Sequence, residues 1–257
     1  MNYKRIIKKI FLLPVDIIEN FYKFFFRIDR YILNYKPTYD EDGLFTNHNC
    51  DFMKDDLFID SYNLGFATGS SQGWDIHWRV HILCFFAERA KTMGGDFVEC
   101  GTNKGFTALS IINYVGFEKT DNKFYLMDTF DGLVEDYKST NEKKTNLVTY
   151  KECYSEAKNT FSKFDNVVIV RGAIPDTLPR VASNKISFIH IDMNCVKPEI
   201  DAGEFFWDKI IPSGVIVLDD YAYPGYLDQK KAWDDFAIRK GVQVLSIPTG
   251  QGLIIKP

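Results

Sequence analysis

The sequence predicts an α/β protein with a mainly parallel sheet covered on both faces, and three observations carry that reading. Short apolar runs of strand length alternate with segments whose apolar residues recur at helical spacing. The runs are apolar on consecutive residues, as strands buried on both faces require. Several end in an acid or a glycine, the residue types expected where such a sheet presents its carboxyl edge to a ligand.

Residues 1–37 stand apart. They hold eight Lys/Arg against three acids, a balance of +5 in a chain whose net charge is −4. After Pro14, the residues Ile17, Phe21, Phe24, Ile28, Tyr31 and Tyr35 recur at helical spacing beside Glu19, Lys23, Arg27, Arg30 and Asn34. This predicts a basic amphipathic helical extension. Such a face suits packing against the chain's own domain, against a second subunit of a homo-oligomer, or peripheral contact with an anionic membrane surface. No stretch reaches the ~18 uninterrupted apolar residues of a spanning helix, and no small-residue cleavage site follows an apolar core. Residues 38–73, rich in Asp, Asn, Gly and Ser with little periodicity, read as a linker or cap.

The domain proper is expected over 74–257. A helix over Trp74–Met93 ends at Gly94-Gly95, and the buried strand Asp96–Cys100 follows. Helix Phe106–Val115, strand Lys123–Met127, helix Ser155–Phe164 and strands Val167–Val170 and Ile186–Ile191 come next. Helix Pro198–Lys209, strand Val215–Leu218 and helix Leu227–Lys240 lead to a last pair, Val242–Ile247 and Gly252–Lys256. Only the turn Pro248-Thr249-Gly250-Gln251 separates that pair, so it should be an antiparallel hairpin at one edge of a seven-stranded sheet.

Composition bounds the function. With 257 residues, 46% apolar and 26% charged, the chain is an ordinary globular one, and its acidic balance argues against a nucleic-acid partner. Its five cysteines are odd in number and form no C-x-x-C pair, which points to reduced thiols in a cytoplasmic setting rather than a disulfide framework or structural zinc.

The strand ends carry the chemistry. The first strand runs into Glu99-Cys100-Gly101-Thr102-Asn103-Lys104-Gly105-Phe106-Thr107, an acid followed by Gly-x-x-x-Gly at a helix start, where free N–H groups suit a carboxylate or phosphate. The second ends in Asp128, which either takes both hydroxyls of a ribose or caps the turn Asp128-Thr129-Phe130-Asp131-Gly132. The fourth and fifth end in His190-Ile191-Asp192-Met193-Asn194 and Leu218-Asp219-Asp220-Tyr221. Three carboxylates at neighbouring strand ends need a partner; an oxygen-only set suits Mg²⁺, Mn²⁺ or Ca²⁺, and the alternative is that Asp219 and Asp220 cap a turn while Asp192 pairs with a lysine. His77 and His81, four apart on one helix, lack the other parts of a zinc site and read as packing or surface histidines. The non-periodic stretch 133–150 reads as a lid or substrate loop, or as a surface insertion. Tyr221, Tyr223 and Tyr226, with Trp74 and Trp78, are candidate walls of an acceptor site.

Four blocks in order, Gly95–Gly101, Met127–Leu133, His190–Met193 and Gly214–Tyr221, resemble the macrocin O-methyltransferase family, over about residue 74 to the C-terminus. The resemblance implies a Rossmann-like fold, S-adenosylmethionine (SAM) as methyl donor and Mg²⁺ or Mn²⁺ as metal. It implies that Glu99, Gly101, Thr102, Gly105 and Thr107 line the SAM pocket, with Asp128, Thr129 and Phe130 at the ribose. Gly172 and Ala173 would pass beside the adenine, Asp192 would border the SAM, and Asp192, Asp219 and Asp220 would hold the metal. The sequence departs from the family at Asn194, where sugar methyltransferases of this kind place an Asp proposed as general base; an amide cannot take a proton at neutral pH. Asp192, His190 and Lys197 are then the nearby catalytic candidates beside Asn194. The expected function is methylation of a hydroxyl on a sugar, glycan or other polyhydroxylated small-molecule acceptor. The alternative is a module that binds SAM or a nucleotide without turnover, associated with a membrane or partner protein.

Overall fold

The computed structural model describes residues 37–139, 141–145 and 150–257. The expected amphipathic extension over 1–37, Pro37 apart, lies outside the described residues. The chain divides into two units, Met1–Asp51 and Phe52–Pro257. In the first, strands β1 (Tyr39–Glu41) and β2 (Leu44–Thr46) pair antiparallel around the two-residue loop Asp42-Gly43. Both loop residues have positive φ, 52° and 73°, the conformation a hairpin this tight requires.

The second unit opens with helix α1 (Asp56–Phe66), capped by Asp55, whose side chain accepts from Leu57 N–H. Helix and hairpin both fall inside 38–73, where the sequence reading has only a linker or cap. What hid the helix is also what packs it. Its buried face is Phe58, Ser61, Tyr62 and Gly65, and a Cβ on Gly65 would stand 2.1 Å from Ser110 Oγ. Small and polar residues that resemble a loop in sequence here let α1 lie close against the next domain helix but one.

The remaining elements are α2 (His77–Lys91), β3 (Asp96–Cys100), α3 (Phe106–Val115), β4 (Phe124–Asp128), the one-turn α4 (Glu142–Thr145), α5 (Tyr154–Phe161) and β5 (Val167–Arg171). After them come β6 (Ile186–Ile191), α6 (Val196–Trp207), β7 (Ile210–Leu218), α7 (Leu227–Lys240), β8 (Leu245–Ser246) and β9 (Gly252–Ile255). Helices α3 and α7 coincide with their expected bounds; α2, α5 and α6 differ by a few residues at their ends. β7 begins earlier than expected, because Ile210 already pairs with Ile186 before an irregular stretch brings Val215 opposite Phe188.

The sheet has seven strands in the order β5-β4-β3-β6-β7-β9-β8. β3 to β7 are parallel to their neighbours, while β9 pairs antiparallel with both β7 and β8, so the C-terminal hairpin forms the antiparallel edge. Strand alternation splits the core in two. Val98, Ile189, Ile216, Phe206 and Trp233 fill one face; Phe97, Phe188, Leu83, Ile111 and Phe117 fill the other. Strand order reverses between β3 and β6, which puts a crevice at the carboxyl ends of those two strands. Among the described residues no helix is long and apolar enough to cross a membrane.

Candidate active site

Register determines the floor of that crevice. Glu99 of β3 stands directly opposite His190 of β6, and His190 opposite Val217 of β7. Two residues on from Val217, Asp219 therefore falls on the same face as Glu99 and His190. Glu99 and His190 are fully buried. Glu99 Oε1 accepts from Thr107 Oγ1 (2.6 Å) and faces His190 Nδ1 (2.9 Å); His190 Nε2 lies 3.6 Å from Asp219 Oδ1. Burial alone would lower the imidazole pKa, but the two carboxylates outweigh it and lift His190 to about 10. The two carboxylates thus favour the protonated ring, which counts against His190 as a general base.

Above this floor is a cavity of about 190 Å³. At one end the N-terminus of α3 faces it through Phe106 and Thr107, and the capping position, Gly105, has no side chain to occupy the first-turn N–H groups. Thr102 lines the same end, and its buried hydroxyl has no hydrogen-bond partner among the described residues. Gly101 is required here: its φ is 97° and a Cβ would stand 1.8 Å from the Asp192 carbonyl oxygen. Asp128 borders the cavity with Thr129 and Phe130. Its carboxylate accepts from Asn103 N (2.7 Å) and Phe130 N (2.6 Å), so it does tie the turn; burial pushes its pKa up while those bonds pull it down, with a net rise. A carboxylate has about four acceptor sites, which leaves capacity for a diol. Gly172, Ala173 and Ile174 wall the far side. Orphaned hydroxyl, uncapped helix start and turn-held acid together fit the amino-acid and ribose ends of SAM.

The opposite end is acidic. Asp192, Asp219 and Asp220 can bring one oxygen each within 4.8 Å of one another, a donor set that fits a hard divalent ion. The structure also supplies a protein cation there. Arg79 of α2 is 5% exposed, and its Nη1 lies 2.5 Å from Asp219 Oδ2 and 3.1 Å from Asp220 Oδ1. Burial raises the Asp219 pKa, but Arg79 and His190 outweigh it and hold Asp219 below the usual carboxylate range. Burial, with Asp219 and Asp220 beside it, drives Asp192 well above that range. Asn194, in a left-handed turn (φ 54°), donates from Nδ2 to Asp192 Oδ1 (3.3 Å) and to the Tyr150 hydroxyl (3.2 Å).

The expected residues divide as follows. Gly101, Thr102, Thr107, Asp128, Thr129, Phe130, Gly172, Ala173, Asp192, Asn194 and Asp219 line the cavity. Glu99 and His190 lie beneath it. Gly105 is a packing glycine whose Cβ would meet the Phe161 ring at 2.3 Å. Lys197 is exposed and paired with Asp201 at 2.6 Å, outside the cavity and held protonated by that bond, which counts against it too as a base. His77 and His81 stack on Tyr62 and Phe52. Of the candidate walls, Tyr221 turns to Asp234, Tyr223 lies under Arg79, Trp78 packs on Phe52, and Trp74 is exposed. The tyrosines that do line the cavity are Tyr137 and Tyr150, from the 133–150 segment. Buried Glu142 anchors that segment, accepting from Val196 N (2.7 Å) and Ser139 N (2.6 Å).

Sequence reading missed Arg79, Glu142, Tyr150 and Gln251, whose Nε2 donates to Asp219 Oδ1 at 3.1 Å. None sits at a strand end. An arginine inside the apolar stripe of α2 was the one available signal.

Known proteins share this fold. The model of the macrocin-O-methyltransferase (TylF) family matches residues 84–246, more than half of the chain. A curated relative, the 8-demethyl-8-(2,3-dimethoxy-alpha-L-rhamnosyl)-tetracenomycin-C 4'-O-methyltransferase of Streptomyces olivaceus, is 23% identical over 172 residues. That match covers 62% of this chain and 64% of the relative, less than two thirds of its length. Among solved structures, the O-methyltransferase NovP is similar with a TM-score of 0.59 at 18% identity, over 69% of this chain and 79% of that one. The calicheamicin methyltransferase CalS11 is similar with a TM-score of 0.57 at 11% identity, over 81% and 94%. The SAH-bound methyltransferase PaMTH1 of Podospora anserina gives 0.53 at 14%, over 79% and 91%. At these identities the structural likeness establishes the Rossmann-like fold.

Proposed function

Because the chain belongs to the macrocin-O-methyltransferase family, we propose that it is a SAM-dependent O-methyltransferase acting on a hydroxyl of a sugar or related polyhydroxylated acceptor. The observation that carries this is the single cavity running from the α3 N-terminus and Asp128 to the Asp192–Asp219 end. The substrates named for relatives favour a saccharide: a rhamnosyl group for the Streptomyces enzyme and TDP-rhamnose for CalS11.

SAM supplies a methyl carbon on a sulfonium sulfur. The first turn of α3 receives its carboxylate, Asp128 its ribose, and Gly172 and Ala173 the adenine edge. An acceptor hydroxyl held between Tyr150, Asn194 and Asp192 would attack the methyl carbon in line, an O–C bond forming as the S–C bond breaks. Asn194 donates a hydrogen bond there and does not take the proton. That proton would go to Asp192 in its ionised form, the cavity carboxylate held neither by Arg79 nor by backbone N–H groups and made more basic by its raised pKa. The chemistry that Mg²⁺ or Mn²⁺ would supply, were it held by Asp192, Asp219 and Asp220 in competition with Arg79, is acidification of that hydroxyl. Leu133, Val134, Tyr137 and Tyr150 line the cavity and would meet a bound acceptor.

Calorimetric titration with SAM, followed by a screen of glycosides and nucleotide-activated sugars for release of S-adenosylhomocysteine, tests the reading. Micromolar SAM binding that Asp128→Ala abolishes, with turnover on a saccharide, supports it. SAM binding without turnover on any acceptor favours the non-catalytic module instead, and no SAM binding refutes both.

A further inference from the structure

Asp219 is held by the protein through both carboxylate oxygens. Its Oδ2 is held by Arg79, and its Oδ1 accepts from Gln251 at 3.1 Å with His190 at 3.6 Å. Gln251 is itself fixed, because Thr249 Oγ1 donates to its Oε1 at 2.9 Å. Arg79 forks from one nitrogen to Asp219 and Asp220, is buried at 5% exposure, and has its guanidinium against the Tyr223 ring, 4.7 Å from the centroid. A divalent ion that used all three acids would have to take oxygens from this fork and would set two positive charges beside a buried guanidinium. Charge-assisted pairs of this kind are strong, and a buried charge deprived of its partner is costly.

We propose that Arg79 is the resident counter-cation of the Asp219–Asp220 pair and competes with divalent metal for it. The chain therefore binds Mg²⁺ or Mn²⁺ weakly and keeps its acidic end assembled without either. The proposal builds on the reading of Asp192, Asp219 and Asp220 as the acceptor end of a methyltransferase site, yet it concerns cation occupancy and is read without methyl transfer.

The experiment is a Mn²⁺ titration followed by electron paramagnetic resonance, on wild-type protein, Arg79→Met and Arg79→Lys, with thermal melting in chelator and in Mn²⁺. Arg79→Met should bind Mn²⁺ at least tenfold more tightly than wild type, about 1.4 kcal/mol. Its melting temperature should rise on adding Mn²⁺ while that of wild type stays in place. Arg79→Lys, a cation without the planar fork, should fall between them. Should Arg79→Met fold only with Mn²⁺, that also supports the proposal; should it fold under neither condition, the Arg79→Lys comparison decides. Tight, saturable Mn²⁺ binding by wild type, with neither variant tighter, overturns it. SAM calorimetry on wild type is the separate control: loss of SAM binding counts against the methyltransferase reading and leaves the Mn²⁺ comparison standing.

Discussion

His190 stays protonated through neutral pH, and its charge stabilises the site more at low pH than at high. The ring is buried, with Glu99 2.9 Å from Nδ1 and Asp219 3.6 Å from Nε2. Burial acts to lower its pKa, the carboxylates raise it, and the outcome is about 10 against an ordinary 6.5. A histidine whose folded pKa is raised contributes its full stabilisation below the unfolded value. Here that contribution is complete below pH 6.5, falls between 6.5 and 10, and is gone above 10. At about 1.4 kcal/mol per pH unit the interval amounts to on the order of 5 kcal/mol below pH 6.5, and roughly 2 to 3 kcal/mol remains at pH 8. Replacing the ring by a neutral amide, His190→Gln, removes the pH-dependent part. Urea denaturation at pH 6.5, 7.5, 8.5 and 9.5 should show the gap between wild type and variant narrowing as pH rises. The chain has four histidines, so ¹⁵N NMR of a histidine-labelled sample resolves each titration. His77 and His81, lowered by burial, should titrate below the ordinary value. A His190 titration at or below pH 7, or a stability gap that does not change with pH, refutes the reasoning and restores His190 as a candidate base.

The other predictions concern the walls and the supports of the cavity. Gly101→Ala should abolish SAM binding in calorimetry, because the new Cβ would stand 1.8 Å from the Asp192 carbonyl at a φ that disfavours it. Glu142→Ala removes the acceptor for Val196 and Ser139 N–H groups; limited proteolysis within 133–150 should accelerate and the acceptor KM should rise, while the Kd for SAM holds. Glu199, whose carboxyl accepts from Trp233 Nε1 at 2.9 Å, is pushed by burial to about 8. Its unfavourable ionisation accumulates from pH 4.5 to 8, so Glu199→Gln, which keeps an acceptor for Trp233, should raise stability at pH 7 by up to roughly 3 kcal/mol in denaturant titrations.

What the chain disclosed before folding was what depends on neighbouring residues. Strand β5 and the Val215–Leu218 part of β7 are continuous apolar runs but for the final Arg171, α3 and α7 end at glycines in the left-handed conformation (Gly116, φ 60°; Gly241, φ 69°), and the last hairpin has a turn sequence between apolar strands. Each of those signals is local, and each element appeared near its expected place. The Gly101–Thr107 loop and the acids at 128, 192 and 219 were also legible, because a parallel sheet gathers the carboxyl ends of its strands at one edge whatever else the protein does. Position within that edge was not legible. Whether a strand-end acid meets the cavity, the turn or another side chain is decided by register and by helices distant in sequence. Register put Glu99 against His190 and so turned two candidate site residues into a buried support. Helix α2 brought Arg79 across 140 residues of sequence to Asp219, giving the acids a partner that was expected to be a metal or a lysine. The same reasoning explains α1: Ser61 and Gly65 look like loop residues until Ser110 and Phe106 are opposite them. A strand-end carboxylate thus marks where a site will form, and the cation that faces it has to be found in three dimensions.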